Sequence, residues 1–165
     1  MDDRQQPEDP SEDETPAACE VRDQLGQQLF DLRDYKAAES ILRLNLSIRE
    51  RTIGIEHSDT LISLIKVAIV LQSQGKSSEA EPLFRRALAV RERTLGPEHP
   101  DTLECMSYLS GPIAMKGDWA GAERIEERVV QGLLATLGPD HPHTIVTKEW
   151  LAVIRRKLAE GEQGQ

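Results

Sequence analysis

Apolar residues in the middle of the chain recur at intervals of three and four, the pattern of an amphipathic helix. Leu61, Leu64 and Leu71 belong to one such series, and Gly75 follows it with a residue suited to the left-handed turn that ends a helix. A second series covers residues 80–90 and stops before a Gly-Pro pair. The pattern predicts a helix, a short turn, a second helix and a longer loop.

This unit is repeated along the chain. The segments IGIEHSDT at 53–60, LGPEHPDT at 95–102 and LGPDHPHT at 137–144 are spaced by 42 residues. A repeat of this length that occurs three times indicates a solenoid of stacked helix pairs. The same step aligns two columns of small residues, where we expect helices to approach closely: Gly26, Ala68 and Ser110, and Ala38, Ala80 and Ala122.

The repeats predict an all-α solenoid of about three helix-turn-helix units, with seven helices in total. We place the repeat domain at residues 17–160, with repeats at 18–59, 60–101 and 102–142 and a capping helix at 143–160. Because Gly111-Pro112 falls inside the first helix of the third repeat, we predict a kink over residues 107–112. Residues 161–165 are expected to fray.

Residues 1–16 differ in composition from the rest. They contain seven acids, one base and three prolines, so we expect a disordered acidic tail. The chain carries a net charge of −9, which argues against nucleic-acid binding. It has no apolar run long enough to span a membrane and no apolar stretch typical of a secretory signal. Two cysteines at unrelated repeat positions favour a reducing compartment, and we expect a cytoplasmic location.

The repeated histidines His57, His99 and His141 could suggest a metal site, but they lie one repeat apart. Stacked helices are about 8–10 Å apart, whereas zinc ligands lie within about 2.1 Å of the ion. We therefore expect no metal, and we interpret these loops as helix starts capped by Asp59, Asp101 or the nearby threonines. We also expect no cofactor. No histidine is placed to activate a nucleophile, so an enzyme with an active site in the groove is a remote alternative.

Arginines also recur on the second helix of the first two repeats. We interpret them as a solvated outer face with weak ion pairs, or as a basic patch for an acidic partner such as the chain's own tail. The aligned pairs are Arg43 with Arg85, Arg49 with Arg91, and Arg51 with Arg93.

The middle repeat resembles the tetratricopeptide repeat. Its pattern of a small residue, a large apolar residue, Gly and then A-E-x-L-[FY]-x-x-A is formed by Ala68, Leu71, Gly75, Ala80, Glu81, Leu83, Phe84 and Ala87. The 42-residue step, LGPEHPDTL at 95–103 and QGKSSEAEPLFRRAL at 74–88 are similar to the kinesin light chain type of this repeat. The resemblance covers residues 18–160. It implies a right-handed superhelix whose first helices line a concave groove for peptides or partner domains.

The chain departs from the family where members carry asparagines that grip the backbone of a bound peptide. The matching residues are Asp23-Gln24, Ile65-Lys66 and Ser107-Tyr108. We nevertheless expect a partner on the groove face, at Asp23, Gln27, Ile62, Ile65, Lys66, Ile69, Tyr108, Glu149 and Trp150.

An apolar strip within this face has two interpretations. Ile62, Ile65 and Ile69 point away from the helix face that packs in the core, which predicts a hydrophobic docking strip. Alternatively, a neighbouring first helix covers these side chains. The function that we expect is a protein-interaction scaffold. The alternative is an assembly subunit that forms a homodimer through the strip.

Overall fold

A computed structural model describes residues 14–162, and within this range all regular structure is α-helical. The described part contains seven helices, so the predicted helix number and the all-α class are confirmed. They are α1 (Pro16–Asp31), α2 (Tyr35–Thr52), α3 (Ser58–Ser73), α4 (Ser77–Leu95), α5 (Pro100–Met115), α6 (Trp119–Thr136) and α7 (Pro142–Glu162). The predictions for residues 1–13 and 163–165 lie outside the described residues.

Short polar side chains cap the starts of three helices. Thr15 accepts a hydrogen bond from the backbone N–H of Ala18 and caps α1. Asp34 and Asp118 cap α2 and α6 in the same way. Between the paired helices, Gly75 and Gly117 have φ angles of +78° and +91°, a backbone conformation that glycine adopts most readily.

The repeated histidines lie at the beginnings of α3, α5 and α7. The Nδ1 atoms of His57, His99 and His141 accept the backbone N–H two residues further on, at 3.2, 3.1 and 3.3 Å. His99 is the N-cap of α5, and Asp101 donates its N–H to it. The prediction that Asp101 caps this helix was therefore wrong, because the N-cap is His99, whose imidazole accepts the free N–H of Asp101.

The chain divides into two compact units, residues 1–70 and 71–165, with the boundary inside α3. In the first unit α1 packs on α2. A Cβ atom on Gly26 would lie 2.6 Å from Leu42 Cδ2 and would displace this side chain, so glycine permits the close approach of α1 and α2. Ala38 is fully buried. Both positions confirm the close helix contact that the small-residue columns predicted.

In the second unit consecutive helices pack from α4 to α7. One core cluster lies between α5 and α6 and is formed by Leu103, Met106, Val129 and Leu133. Another brings α7 onto its neighbours through Ile154, which packs with Ala114 and Ala122. The last helix therefore covers apolar surface on α5 and α6.

The helix α5 continues through Gly111 and Pro112 without interruption. Pro112 has no N–H for the carbonyl of Tyr108, and the bend expected there stays a prediction. Gly111 is buried, and a Cβ atom on it would lie 2.3 Å from Gln72 Nε2. The glycine therefore allows the Gln72 side chain to lie against α5.

Two of the repeated arginines are buried, contrary to the predicted solvated face. Arg49 and Arg91 are 8% and 6% exposed. Their Nη1 atoms donate to the backbone carbonyls of Asp59 and Asp101, at 3.3 and 2.7 Å. They therefore tie each second helix to the start of the next first helix. Arg43 fits the prediction, since it is an exposed residue that pairs with Glu39 one turn away.

The described end of the acidic segment contacts α2. Glu14, the first described residue, forms an ion pair with Arg51 on α2.

Within residues 14–162, no helix is long and apolar enough to cross a membrane.

Candidate partner-binding site

The first unit brings Asp23 and Lys66 of the predicted groove together in a charged network. Asp23 Oδ2 lies 2.8 Å from Arg49 Nη1 and 3.4 Å from Lys66 Nζ. Asn45 Nδ2 donates to Asp23 Oδ1 at 3.0 Å and to the carbonyl of Cys19 at 2.9 Å. Asp23 is thus tied to α2 and α3, and its carboxylate holds these helices in place.

The three isoleucines of α3 differ in exposure. Ile62 is 40% exposed, whereas Ile65 is 6% exposed and Ile69 is half-buried. Ile65 is therefore buried, and Ile62 offers open apolar surface. Ile69, Gln27 and Lys66 line a small cavity of about 50 Å³. The role of these residues in partner binding stays a prediction.

The second unit contains an open cleft of about 300 Å³, bordered mainly by α5 and α7. Two of the predicted groove residues, Tyr108 and Trp150, line it. Glu149 lies exposed on α7 next to Trp150 and is not part of the lining. The other lining residues were not among the predicted groove residues; they are Gln72, Ser107, Gly111, Val146 and Thr147.

A buried carboxyl lies behind one wall of this cleft. Glu126 on α6 is fully buried, and its Oε1 atom lies 2.9 Å from Ser107 Oγ and 2.5 Å from Ser110 Oγ. Trp150 Nε1 donates to Ser110 Oγ at 2.9 Å. Among the described residues, Glu126 Oε2 has no hydrogen-bond partner. Burial raises the pKa of Glu126 to about 7, and the two serine hydroxyls partly oppose this shift.

Tyr108, which also lines the cleft from α5, is held in place by two contacts. Its ring stacks on Phe84 with the centroids 5.7 Å apart, and its hydroxyl donates to Glu104 Oε1 at 3.2 Å. Burial, followed by the negative charge of Glu104, raises the pKa of Tyr108 to about 12. The phenol is therefore neutral and its proton is directed at Glu104.

The repeat step contains the signal that could have revealed Glu126. A shift of 42 residues aligns Glu126 with Phe84 and Leu42, which are both buried. Ser107 and Ser110 align with Ile65 and Ala68 in the same way. The third repeat thus has three polar residues where the second has apolar ones, and the structure brings all three together.

The environment of Cys105 keeps its thiol protonated. Burial raises the pKa of its thiol to about 11, against a smaller opposing effect of Arg91, which donates to Sγ at 3.3 Å. A protonated thiol is a weak nucleophile. Among residues 14–162, no three His, Cys, Asp or Glu side chains are placed to hold a metal ion.

Comparison with known proteins identifies the repeat. One tetratricopeptide repeat profile matches residues 18–93 and again 65–111, and a second matches residues 102–143. The chain belongs to the tetratricopeptide repeat family. Repeats of this family generally mediate protein–protein interactions and are not typically enzymatic.

Solved structures agree with the family assignment. The tetratricopeptide-like repeats of a kinesin light chain from Podosopora anserina superpose with a TM-score of 0.79 at 23% identity, over 90% of this chain and 71% of that one. A point variant of the same repeats gives a TM-score of 0.76 at 24% identity, over 84% of this chain and 66% of that one. These likenesses establish a shared fold of the kinesin light chain type. A search of curated proteins found no match.

Proposed function

We propose that this tetratricopeptide repeat chain is a protein-interaction scaffold that binds its partner on the first-helix face of the second unit. The observation that carries the proposal is the cleft between α5 and α7. Tyr108 and Trp150 occupy equivalent positions in successive repeats, and both line it. Large aromatic side chains in a concave, partly polar site are typical anchors in protein interfaces.

Site-specific photo-crosslinking tests this proposal. Val146 is 63% exposed and lines the cleft, so a photoreactive residue there should crosslink a discrete partner in cells that express the chain. Leu134, which is 37% exposed on α6 and does not line the cleft, is the matched control position. A crosslink that forms from Val146 and disappears in Trp150→Asp supports the proposal. Equal crosslinking from both positions, or none from Val146, contradicts it.

Self-association is the second candidate function. It is favoured by the exposure of apolar side chains on two first helices, Ile62 at 40% and Val146 at 63%. Exposed apolar groups of this kind can pair two copies of a chain. Under this proposal the crosslink from Val146 joins two copies of the protein, and its mass distinguishes a homodimer from a complex with another protein.

A further inference from the structure

The lining of the α5–α7 cleft has an unusual distribution of hydrogen-bond donors. Three hydroxyl groups border it, from Ser107, Tyr108 and Thr147. Each hydroxyl hydrogen has an acceptor inside the protein: Ser107 donates to Glu126 Oε1 at 2.9 Å, Tyr108 to Glu104 Oε1 at 3.2 Å, and Thr147 to the carbonyl of His143 at 2.8 Å. The oxygens therefore present lone pairs to the cleft.

The indole of Trp150 also uses its donor hydrogen inside the protein. Its N–H donates to Ser110 Oγ at 2.9 Å, so the indole ring lines the cleft without a free donor. Gln72 is the one lining side chain with N–H groups that this network does not occupy. A ligand that brings several donors fits this lining better than a ligand that brings acceptors.

The charge around the cleft has a definite sign. No lysine or arginine is among its lining residues. Two carboxyl groups, those of Glu126 and Glu104, lie directly behind the serine and tyrosine hydroxyls and polarise them. Arg91 Nη1 lies 3.6 Å from Glu104 Oε2 and partly offsets that charge, whereas Glu126 has no ionic partner among the described residues. When Glu126 is ionised, the uncompensated charge behind the cleft is therefore negative.

From this arrangement we infer that the cleft binds a cationic side chain, an arginine guanidinium or a lysine ammonium, of the partner polypeptide. The inference rests on the proposed function and specifies the chemistry of its anchor. Both cations carry only donors, and both are attracted to the faces of tryptophan and tyrosine. A cleft of about 300 Å³ lies at the small end of ligand sites and holds one such side chain.

The test uses the full chain and blocked amino acids as probes. N-acetyl-arginine amide is titrated at about pH 8, where the carboxyl of Glu126 is ionised, and N-acetyl-citrulline amide serves as the neutral isostere. Binding is followed by the NMR signal of the Trp150 indole N–H, with the other tryptophan, Trp119, as an internal reference. We expect the arginine probe to shift the Trp150 signal in a saturable way and the citrulline probe to bind about ten-fold more weakly.

Two matched variants identify the source of the attraction. Glu126→Gln retains the shape of the side chain and should weaken the arginine probe about ten-fold. Glu127→Gln removes a charge from the next residue of α6, which pairs with Arg155, and should leave binding unchanged. Equal affinity for arginine and citrulline probes, or an equal effect of the two variants, would overturn the inference.

The outcomes also separate the anchor from the proposed function. If a partner crosslinks at Val146 but the arginine probe does not bind, the scaffold proposal stands and the cationic anchor is wrong. If the probe binds with the expected selectivity and no partner crosslinks at Val146, the cation site stands and the scaffold proposal is contradicted.

Discussion

At the scale of single residues, the third repeat differs from the other two by a buried carboxyl group. Glu126 occupies the position of Leu42 and Phe84, where burial of an apolar side chain stabilises the helix pair. A buried charge has the opposite effect, since burial disfavours the ionised form. The two serines that contact Oε1 reduce this cost but leave Oε2 without a partner in the described part of the chain.

The raised pKa of Glu126 predicts how stability depends on pH. The folded state has a pKa of about 7 and the ordinary value is 4.5, so between these values the folded state binds the proton more tightly. The stabilising effect of this proton is complete below pH 4.5 and is lost as the pH rises through 7. Glu126→Gln does not ionise. At about pH 8, its free energy of unfolding should therefore exceed that of the wild type by about 3 kcal/mol. It should unfold at a higher denaturant concentration.

The measurement is urea unfolding of wild type and Glu126→Gln at several pH values. The difference in free energy of unfolding should shrink toward zero as the pH falls to 4.5. The pKa of Glu126 is shifted by burial and by the hydrogen bonds from Ser110 and Ser107, so the ionisation of Glu126 itself should set the pH dependence of this difference. A pH-independent difference would show that Glu126 is not the titrating group.

The buried Arg49 supports a second prediction at this scale. It donates to Asp23 Oδ2 at 2.8 Å and to Ser63 Oγ at 2.5 Å, so its removal leaves a partly buried carboxylate without its main partner. We expect Arg49→Ala to lower the free energy of unfolding by about 3 kcal/mol. Arg43→Ala removes an exposed pair on the same helix and should cost less than about 0.5 kcal/mol. Thermal unfolding by circular dichroism compares the two, and similar losses would refute the distinction.

At the scale of helices, the repeated histidines have a structural role. Each provides an acceptor for an N–H group that the helix itself cannot satisfy in its first turn. We expect His99→Ala to destabilise the second unit by about 1 kcal/mol, because this N–H loses its partner. His99→Asn places a carbonyl oxygen at the helix start and should recover most of the loss.

Hydrogen exchange of the first turn of α5 is the direct measurement of this cap. Faster exchange of the Asp101 N–H in His99→Ala, reversed in His99→Asn, is the expected result. Unchanged exchange would mean that the contact between His99 and Asp101 does not stabilise the helix. Because His57 and His141 make the same contact, each variant can be repeated at the start of α3 and of α7.

At the scale of the whole molecule, the periodic features of the sequence were predictable, whereas the burial of the arginines and the shape of the cleft were not. The spacing of apolar residues defines helices such as α3 and α4, and the small residues Gly26 and Ala38 mark close helix contacts. These features depend on local geometry and on the repeat. Whether Arg49 faces solvent or the interior depends on the next helix, which no local pattern reveals. The cleft has the same dependence, because its chemistry is set by where α5 and α7 place their hydroxyl hydrogens.

The apolar strip of Ile62, Ile65 and Ile69 bears on whether the protein forms a homodimer. Ile62 is open to solvent and Ile65 is buried. Asp at position 62 therefore tests self-association, and Asp at position 65 tests the contribution of the interior to stability. In the homodimer proposal, Ile62→Asp should split the dimer without a change in helicity, as measured by light scattering over a concentration series. Ile65→Asp places a charge in the interior and should lower the melting temperature whether or not a dimer exists. A wild type that is monomeric at all concentrations would rule out self-association, and the first-helix face would then be available to a different protein.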